Sequence, residues 1–322
     1  MKKLKQPHFL IIYGATGVGK TDLALKIAHQ LQGHIINMDV GQFYTPLTIG
    51  TAKPNWQSEK VPHHLFDIVD DPCNITATKY RTLVLDLFHT LWSQDKLPIL
   101  VGGSGFYLKS LLFPPAAQSA DSSEVDTQSS THQLWESLHT VDPERAAQIH
   151  KNDRYRINRA LAIWHATGKK PSEYVSKFEP PSSFTLIHLE RDRADLYARI
   201  DERTLQMIDA GWIEETQQLS SEWITFLKTK KIIGYEAIAD YLQSQKTKKD
   251  LQMLISTIQQ RSRNYAKRQE TFWRGLEKAL LPEINGTTKN NKTSQIISIN
   301  LTLMDDDLYI KQVFSNPLDF FE

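Results

Sequence analysis

The sequence predicts an α/β fold in which a doubly wound parallel sheet carries a small inserted all-helical domain. The first observation is that strand-like and helix-like segments alternate through the N-terminal part of the chain. Buried strands are predicted from three apolar runs, at residues 8–13, 34–39 and 97–103. Helices are predicted from amphipathic stretches between those runs, at residues 20–32 and 78–94. Such alternation is typical of parallel sheets that are covered by helices.

A glycine-rich segment between the first strand and the first helix is the second observation. GATGVGKT, at residues 14–21, matches the phosphate-binding pattern G-x-x-x-x-G-K-T and makes the predicted sheet P-loop-type. The third observation is that helical patterning fills most of residues 132–178 before a strand returns at 184–190. We therefore predict two domains: a P-loop α/β core with C-terminal helices at residues 1–113 and 184–322, and a small helical insertion at residues 114–183.

The segments that flank these elements are less informative. Residues 114–131 are rich in Pro, Ala, Ser and Asp and contain little to bury, which predicts a mobile linker. Helices are predicted beyond the insertion, at about 193–220, 231–243 and 249–278. The tail at about 281–322 contains a short strand, IISINL, and no role is assigned to it.

Composition excludes several classes of protein. The 322 residues contain 38 Lys plus Arg against 37 Asp plus Glu, so any nucleic-acid surface must be a local patch. One cysteine, Cys73, excludes an internal disulfide framework or a cysteine-rich zinc site. No apolar run approaches the roughly 18 residues of a membrane span. We expect a cytoplasmic protein, not bound to membrane, that acts as a monomer.

The glycine-rich loop predicts an anion site. Its backbone N–H groups would surround phosphate oxygens, and the N-terminus of the following helix adds a favourable dipole. Lys20 would add a positive charge and the Thr21 hydroxyl a ligand to Mg²⁺. The predicted phosphate-binding residues are Gly14, Ala15, Thr16, Gly17, Val18, Gly19, Lys20 and Thr21.

Asp39 is the acid that ends a predicted strand. A phosphoryl-transfer enzyme of this type normally has a strand ending in Asp to hold magnesium, but the strand at 97–103 ends in glycines. Asp39 is therefore either a magnesium ligand, a strand-end cap, or a general base at the mouth of the phosphate pocket.

Two basic segments and a histidine pair complete the candidate groups. RSRNYAKRQETFWR, at residues 261–274, interleaves five basic residues with Tyr265, Phe272 and Trp273, which suits phosphate contact and base stacking or a solvated salt-bridge face. DRYRINRA, at residues 153–160, adds further arginines, and both segments are expected to flank one crevice. His63 and His64 point to opposite faces of an extended segment, so packing or hydrogen bonding is predicted rather than metal binding.

Taken together, a series of segments resembles the tRNA dimethylallyltransferases of the bacterial type, over nearly the whole chain to about residue 278. Those segments are GATGVGKT (14–21), MDVGQFY (38–44), IGTAKP (49–54), VPHHLFDIVDDP (61–72), LVGGSGFYLKSLL (100–112), DRYRINRALAIWHATGK (153–169), LYARIDERTLQMIDAGWIEE (196–215), IIGYEAI (232–238) and YAKRQETFWR (265–274).

The resemblance implies transfer of a dimethylallyl group from dimethylallyl diphosphate to N6 of adenosine 37, next to the anticodon of tRNAs reading codons that begin with U. Asp39 would be the base, Lys20 and Mg²⁺ would stabilise the leaving diphosphate, and Thr16 would place a hydroxyl near its bridging oxygen. Gln42 would read the adenine edge. The residues implied to contact the tRNA anticodon stem-loop are Asp39, Val40, Gly41, Gln42, Ser104, Tyr155, Arg156, Ile157, Asn158, Arg159, Lys267, Arg268 and Arg274.

The chain departs from the family pattern at three positions. Val40 stands where the family usually has serine beside the base, and Ala15 where proline is common. Lys231 stands where an arginine typically binds the diphosphate, so the charge is kept but the bidentate geometry is lost. Three other functions stay open: an isopentenyltransferase acting on free adenylate, a small-molecule P-loop kinase or ATPase, and a non-catalytic tRNA-binding protein.

Overall fold

The computed structural model describes residues 4–114, 129–174, 176–286 and 294–304. The chain divides into two compact units, one formed by Met1–Lys109 with Pro181–Glu322 and the other by Ser110–Pro180. Most of the predicted linker at 114–131 lies outside the described residues, as does most of the C-terminal tail.

A parallel six-stranded sheet forms the centre of the larger unit, with the strand order β3-β2-β4-β1-β5-β6. The strands are β1 (His8–Gly14), β2 (His34–Asn37), β3 (His63–His64), β4 (Pro98–Gly102), β5 (Ser183–Glu190) and β6 (Gln295–Asn300). Every residue of β1 is buried, as expected for a central parallel strand with both faces covered. In the register, Ile11 of β1 lies between Leu100 of β4 and Leu186 of β5. The predicted fold class is confirmed.

The helices of the described residues are α1 (Lys20–Leu31), α2 (Ala77–Ser93), α3 (Gly105–Leu112), α4 (Thr131–Val141), α5 (Pro143–Gln148), α6 (Arg154–Thr167), α7 (Arg193–Asp209), α8 (Trp212–Gln217), α9 (Ser221–Lys230), α10 (Tyr235–Leu242) and α11 (Lys248–Gly286). The prediction of one helix over 193–220 was wrong, because Gly211 adopts a left-handed φ of 102° and separates α7 from α8. The predicted strand at 34–39 ends earlier, because Asp39 caps a short 3₁₀ turn at Val40–Phe43.

The smaller unit contains α4, α5 and α6, packed around a cluster of apolar side chains that includes Leu138 and Ile157. The Asp153 carboxylate caps α6 by accepting from the Arg156 N–H, and Gly168 ends the helix with a left-handed φ of 66°. Among the described helices, none combines the length and the apolar character needed to cross a bilayer.

Candidate active site

The glycine-rich loop joins β1 to α1 at the carboxyl edge of the sheet. Ala15 and Val18 are buried in the core, so this part of the loop presents backbone rather than side chains to the site. The Lys20 ammonium folds back and donates to the carbonyls of Gly14 (3.0 Å) and Ala15 (2.8 Å). Burial lowers the pKa of Lys20 to about 8, and the nearby Asp39 carboxylate partly opposes that shift.

Asp39 is held at the end of β2 by its neighbours. The buried side chain of Asn37 accepts from the Asp39 N–H (2.8 Å) and donates to the Asp39 carbonyl (3.1 Å). One Asp39 carboxylate oxygen accepts from the Gly41 N–H (3.1 Å). Burial raises the pKa of Asp39, while Lys20, the Gly41 N–H and Arg203 act in the opposite direction. A fixed carboxylate with a raised pKa is a stronger base than an exposed one.

A polar cavity of about 450 Å³ lies over the glycine-rich loop. Its polar lining combines loop residues with side chains of α7 and the end of β4, among them Lys20, Thr21, Arg199, Arg203 and Gly102. The Arg199 guanidinium donates to the Gly17 carbonyl (3.1 Å), which fixes the loop from the α7 side. This cavity has the basic side chains and the loop backbone that an anionic ligand requires.

A second cavity, also of about 450 Å³, has a mainly apolar lining. Aliphatic and aromatic side chains line it, including Val40, Ile200, Met207, Trp212, Ile233, Ile258 and Tyr265. Five residues line both cavities: Thr16, Asp39, Thr51, Ala52 and Arg203. The candidate base therefore lies where the polar cavity meets the apolar one.

The loop that carries Thr51 is organised by a single carboxylate. Glu215 of α8 accepts from the backbone N–H groups of Thr48 (2.9 Å), Ile49 (2.6 Å) and Gly50 (3.1 Å). It also accepts from the Tyr235 hydroxyl (2.8 Å). Glu215 therefore fixes the loop that leads into Thr51 and Ala52, which line both cavities.

Gln269 connects α11 to the glycine-rich loop. Its side-chain oxygen accepts from the Thr16 N–H (2.9 Å), and its side-chain nitrogen donates to the Gly103 carbonyl (2.9 Å). The side chain is 5% exposed, so both bonds are shielded from water. One loop amide is thus used within the protein, and the position of Thr16 depends on α11.

The basic residues of α11 divide into two groups. Arg261 pairs with Glu236 at 2.8 Å, and Arg263 pairs with Asp201. The side chains predicted to contact tRNA are exposed instead: Lys267, Arg268 and Arg274. Lys267 and Arg274 form no ion pair with any described residue, and Arg268 lies over the Tyr265 ring and lines the apolar cavity. The alternative of a solvated salt-bridge face therefore fits only part of this helix.

One aromatic assignment on this helix was wrong. Trp273 is 2% exposed and stacks on His188, with ring centroids 4.3 Å apart and planes at 15°. It is therefore unavailable to a nucleotide base. Tyr265 and Phe272 are partly exposed, and Tyr265 lines the apolar cavity.

The predicted tRNA-contacting segment of the smaller unit is also corrected in part. Ile157 is completely buried in the core of this unit and Asn158 is 8% exposed, so their side chains are not available as surface contacts. Tyr155 is 76% exposed, Arg156 is exposed and Arg159 is partly exposed. The alternation follows from the helical period of α6, which turns consecutive residues to different faces.

The three remaining predicted site residues, Gln42, Ser104 and Lys231, differ in where they lie relative to the two cavities. Gln42 lines the polar cavity, and its amide donates to the carbonyls of Thr51 (3.2 Å) and Ala52 (3.4 Å). Ser104 precedes α3 and lines neither cavity. Lys231 is exposed at the end of α9 and lines the apolar cavity.

The histidine pair has the role predicted for it. His64 hydrogen-bonds His34 between ring nitrogens 3.0 Å apart, and His63 hydrogen-bonds the Val61 carbonyl at 2.7 Å. Within the described residues, no group of three His, Cys, Asp or Glu side chains is arranged to hold a metal ion.

The sequence reasoning missed Arg203, Glu215 and Gln269. Arg203 had a detectable signal, because Leu196, Ile200, Arg203 and Met207 follow one helical stripe in which only Arg203 is charged. Glu215 and Gln269 had none, because their partners are distant in sequence.

The parallel sheet, the glycine-rich loop and the polar cavity above it define a P-loop-type α/β protein in which a mainly apolar cavity adjoins the polar one. Comparison with known proteins gives the particular family. A family model described as IPP transferase matches residues 42–276. The tRNA dimethylallyltransferase of Anoxybacillus flavithermus is 38% identical over 272 residues, covering 82% of this chain and 86% of that protein. That of Petrotoga mobilis is 36% identical over 300 residues, covering 90% and 98%. The chain belongs to the IPP transferase family.

Solved structures agree with this assignment. The full-length tRNA isopentenylpyrophosphate transferase of Bacillus halodurans matches with a TM-score of 0.61 and 28% identity, covering 96% of this chain and 94% of that one. A eukaryotic dimethylallyltransferase acting on tRNA matches with a TM-score of 0.77 and 25% identity, covering 96% and 78%.

Proposed function

We propose that this protein is a tRNA dimethylallyltransferase. It transfers the dimethylallyl group of dimethylallyl diphosphate to N6 of adenosine 37 in tRNAs that read codons beginning with U, giving N6-isopentenyladenosine and diphosphate. The observation that supports this best is the junction of the two cavities at Asp39 and Thr16. An allylic diphosphate has one anionic end and one apolar end, and its reactive carbon lies between them.

The reaction forms a carbon–nitrogen bond and breaks a carbon–oxygen bond. The N6 lone pair attacks C1 of the allylic group, and the electron pair of the C1–O bond stays on the bridging oxygen of diphosphate. Asp39 accepts the proton that N6 loses. Lys20 and the loop N–H groups stabilise charge on the departing diphosphate. Thr16 lines both cavities, and its hydroxyl would donate to the bridging oxygen.

Magnesium would bind together with the diphosphate. Thr21 and Asp22 offer a hydroxyl and a carboxylate in the polar cavity. One or two such ligands, completed by phosphate oxygens and water, form a typical Mg²⁺ site. The bound ion would neutralise part of the charge on the leaving group.

The macromolecular substrate is a tRNA anticodon stem-loop. The exposed Lys267, Arg268 and Arg274 of α11 provide phosphate contacts, and the target adenine must leave its stack to reach Asp39. The basic and exposed residues of α6 add a second surface of the same character. Both cavities are lined by one chain, so a monomer is sufficient, and tRNA modification is expected in the cytoplasm.

The test is incubation of the protein with labelled dimethylallyl diphosphate, Mg²⁺ and one of two acceptors, AMP or an unmodified anticodon stem-loop. We expect label in the stem-loop and N6-isopentenyladenosine after digestion to nucleosides. Labelling of AMP alone would identify an adenylate isopentenyltransferase. Phosphate release from ATP without prenyl transfer would identify a kinase or ATPase.

A further inference from the structure

Positive charge surrounds the opening of the apolar cavity. Four of the residues that line this cavity are exposed, and they lie where it meets solvent: Asn74, Lys230, Lys231 and Arg268. Three of the four are cations, and none of the three lines the polar cavity. Among the described residues that line the apolar cavity, Asp39 is the only acid, and it lies at the junction with the polar cavity. A mainly apolar cavity is therefore entered past basic side chains.

The lysines at the end of α9 differ in whether their charge is paired. The Lys228 ammonium pairs with the Asp240 carboxylate at 3.2 Å. The Lys230 ammonium lies 5.8 Å from the centroid of the Phe226 ring, and Lys231 ends the helix with a left-handed φ of 54°. Within the part of the chain that the structure describes, neither of these two ammonium groups forms an ion pair or a hydrogen bond. Both charges are therefore available to an anionic ligand.

A nucleotide whose base enters a protein cavity brings such anions to the opening. The base rotates out of its stack about the backbone, so the phosphates on its two sides stay on the path of the strand. When the base reaches Asp39, these phosphates remain outside the apolar cavity, where Lys230 and Lys231 are exposed. An ammonium on a flexible stem suits a backbone phosphate, because it acts as a point charge without a fixed bidentate geometry.

We propose that Lys230 and Lys231 bind the phosphates on the two sides of the target adenosine, so that both lysines act on the RNA acceptor and not on the diphosphate donor. This inference rests on the proposed function. The family resemblance implies a diphosphate contact for Lys231 instead. A diphosphate held by the glycine-rich loop would lie in the polar cavity, which neither lysine lines. The two roles differ in which substrate loses affinity when the charge is removed.

The experiment compares Lys230→Gln, Lys231→Gln, the double variant and, as a matched control on the same helix, Lys228→Gln. The Kd of the stem-loop is measured by fluorescence anisotropy at several salt concentrations, and the Kd of inorganic diphosphate by calorimetry. We expect each single variant to weaken stem-loop binding by about 3- to 5-fold, the scale of one exposed ion pair. The slope of log K against log salt concentration should fall by about 0.7 for each lysine, the value for one phosphate contact in a single strand. Diphosphate binding and the Lys228→Gln variant should stay within about 2-fold of wild type.

A chemical change in the RNA locates the contacts. A neutral methylphosphonate linkage on either side of adenosine 37 removes one phosphate charge, and it should weaken binding to the wild-type protein by about as much as the loss of one lysine. In the double variant the same linkage should cause no further loss, because the charge that it would have met is already gone. A methylphosphonate placed in the stem is the control, and its effect should be equal in all of the proteins.

Three results would overturn the inference. These are unchanged stem-loop affinity in the double variant, weaker diphosphate binding without a change in stem-loop binding, and methylphosphonate effects that add fully to those of the lysine substitutions. A slope that falls equally in Lys228→Gln would also overturn it, because that charge is already paired. If the wild-type protein binds the stem-loop through both lysines but transfers no dimethylallyl group, the proposed function fails and the phosphate contacts stand.

Discussion

Under the proposed function, Asp39 is the residue that accepts the proton from a weak nucleophile. The exocyclic amine of adenine needs an acceptor for its proton, and Asn37 and the Gly41 N–H hold the carboxylate in one orientation. Asp39→Asn keeps the hydrogen bond from Gly41 but removes the basic group. We expect single-turnover transfer to fall by about 10²- to 10⁴-fold, the usual contribution of a general base.

The control for this variant is the affinity for the stem-loop, which should stay within about 3-fold of wild type. A purely structural role for Asp39 would predict loss of both properties with a lower melting temperature. Transfer at the wild-type rate by Asp39→Asn would remove Asp39 from the mechanism.

The lowered pKa of Lys20 leads to a prediction about how the activity falls at alkaline pH. Its pKa is lowered to about 8 by burial, with Asp39 and Glu270 acting in the opposite direction and Arg203 in the same direction. The charged form is lost as pH rises through that value, so kcat/KM for dimethylallyl diphosphate should fall above about pH 8. Bound diphosphate favours the ammonium, so the fall in kcat should occur at higher pH. Equal alkaline limbs for kcat and kcat/KM would contradict this assignment.

At the scale of elements, the sequence predicted the strands, loops and helices that depend on interactions between residues close together in the chain. The strand, loop and helix at residues 8–31 follow from an apolar run, two glycines and a helical stripe, and α6 follows from its capping residues. The break between α7 and α8 was missed because the amphipathic pattern continues through Gly211. Gln269 and Glu215 were missed because their hydrogen bonds join segments far apart in the chain.

Glu215 gives a prediction about one element. Its carboxylate accepts three hydrogen bonds from the loop at 48–50 and a fourth from the Tyr235 hydroxyl, and a glutamine would place an NH₂ group against these donors. We expect Glu215→Gln to lower the free energy of unfolding by about 1.5–3 kcal/mol, measured by urea denaturation. The exposed neighbour Glu214 provides the control, and Glu214→Gln should be neutral. Equal stability of the two variants would show that the loop does not depend on this carboxylate.

At the scale of the whole molecule, the net charge of +1 gives no indication of the exposed basic residues Lys267, Arg268 and Arg274 on α11. Arg261 and Arg263 on α11 are neutralised by Glu236 and Asp201, whereas Lys267 and Arg274 form no ion pair with the described residues. Sequence alone could not separate these groups, because the acidic partners come from α10 and α7. Sequence alone also could not show that Thr16, Asp39 and residues of α7 lie together where two cavities adjoin.

The division of α11 predicts how tRNA binding depends on salt. Lys267→Ala or Arg274→Ala should weaken stem-loop binding and reduce the slope of log K against log salt concentration by about 0.7–0.9, the value for one phosphate contact. Arg261→Ala, on the same helix but with its charge already paired, should leave the slope unchanged. The measurement is fluorescence anisotropy at several salt concentrations. A slope reduced equally by all three variants would place the tRNA surface over the whole helix.

The central claim is that the glycine-rich loop holds a leaving diphosphate and that the bond broken is carbon–oxygen. The most direct test uses dimethylallyl diphosphate labelled with ¹⁸O at the bridge between C1 and phosphorus, with the stem-loop as acceptor and mass spectrometry of the products. We predict that all of the label remains in diphosphate and that the nucleoside contains the dimethylallyl group. Recovery of the label in dimethylallyl alcohol, which requires phosphorus–oxygen cleavage, would contradict the claim.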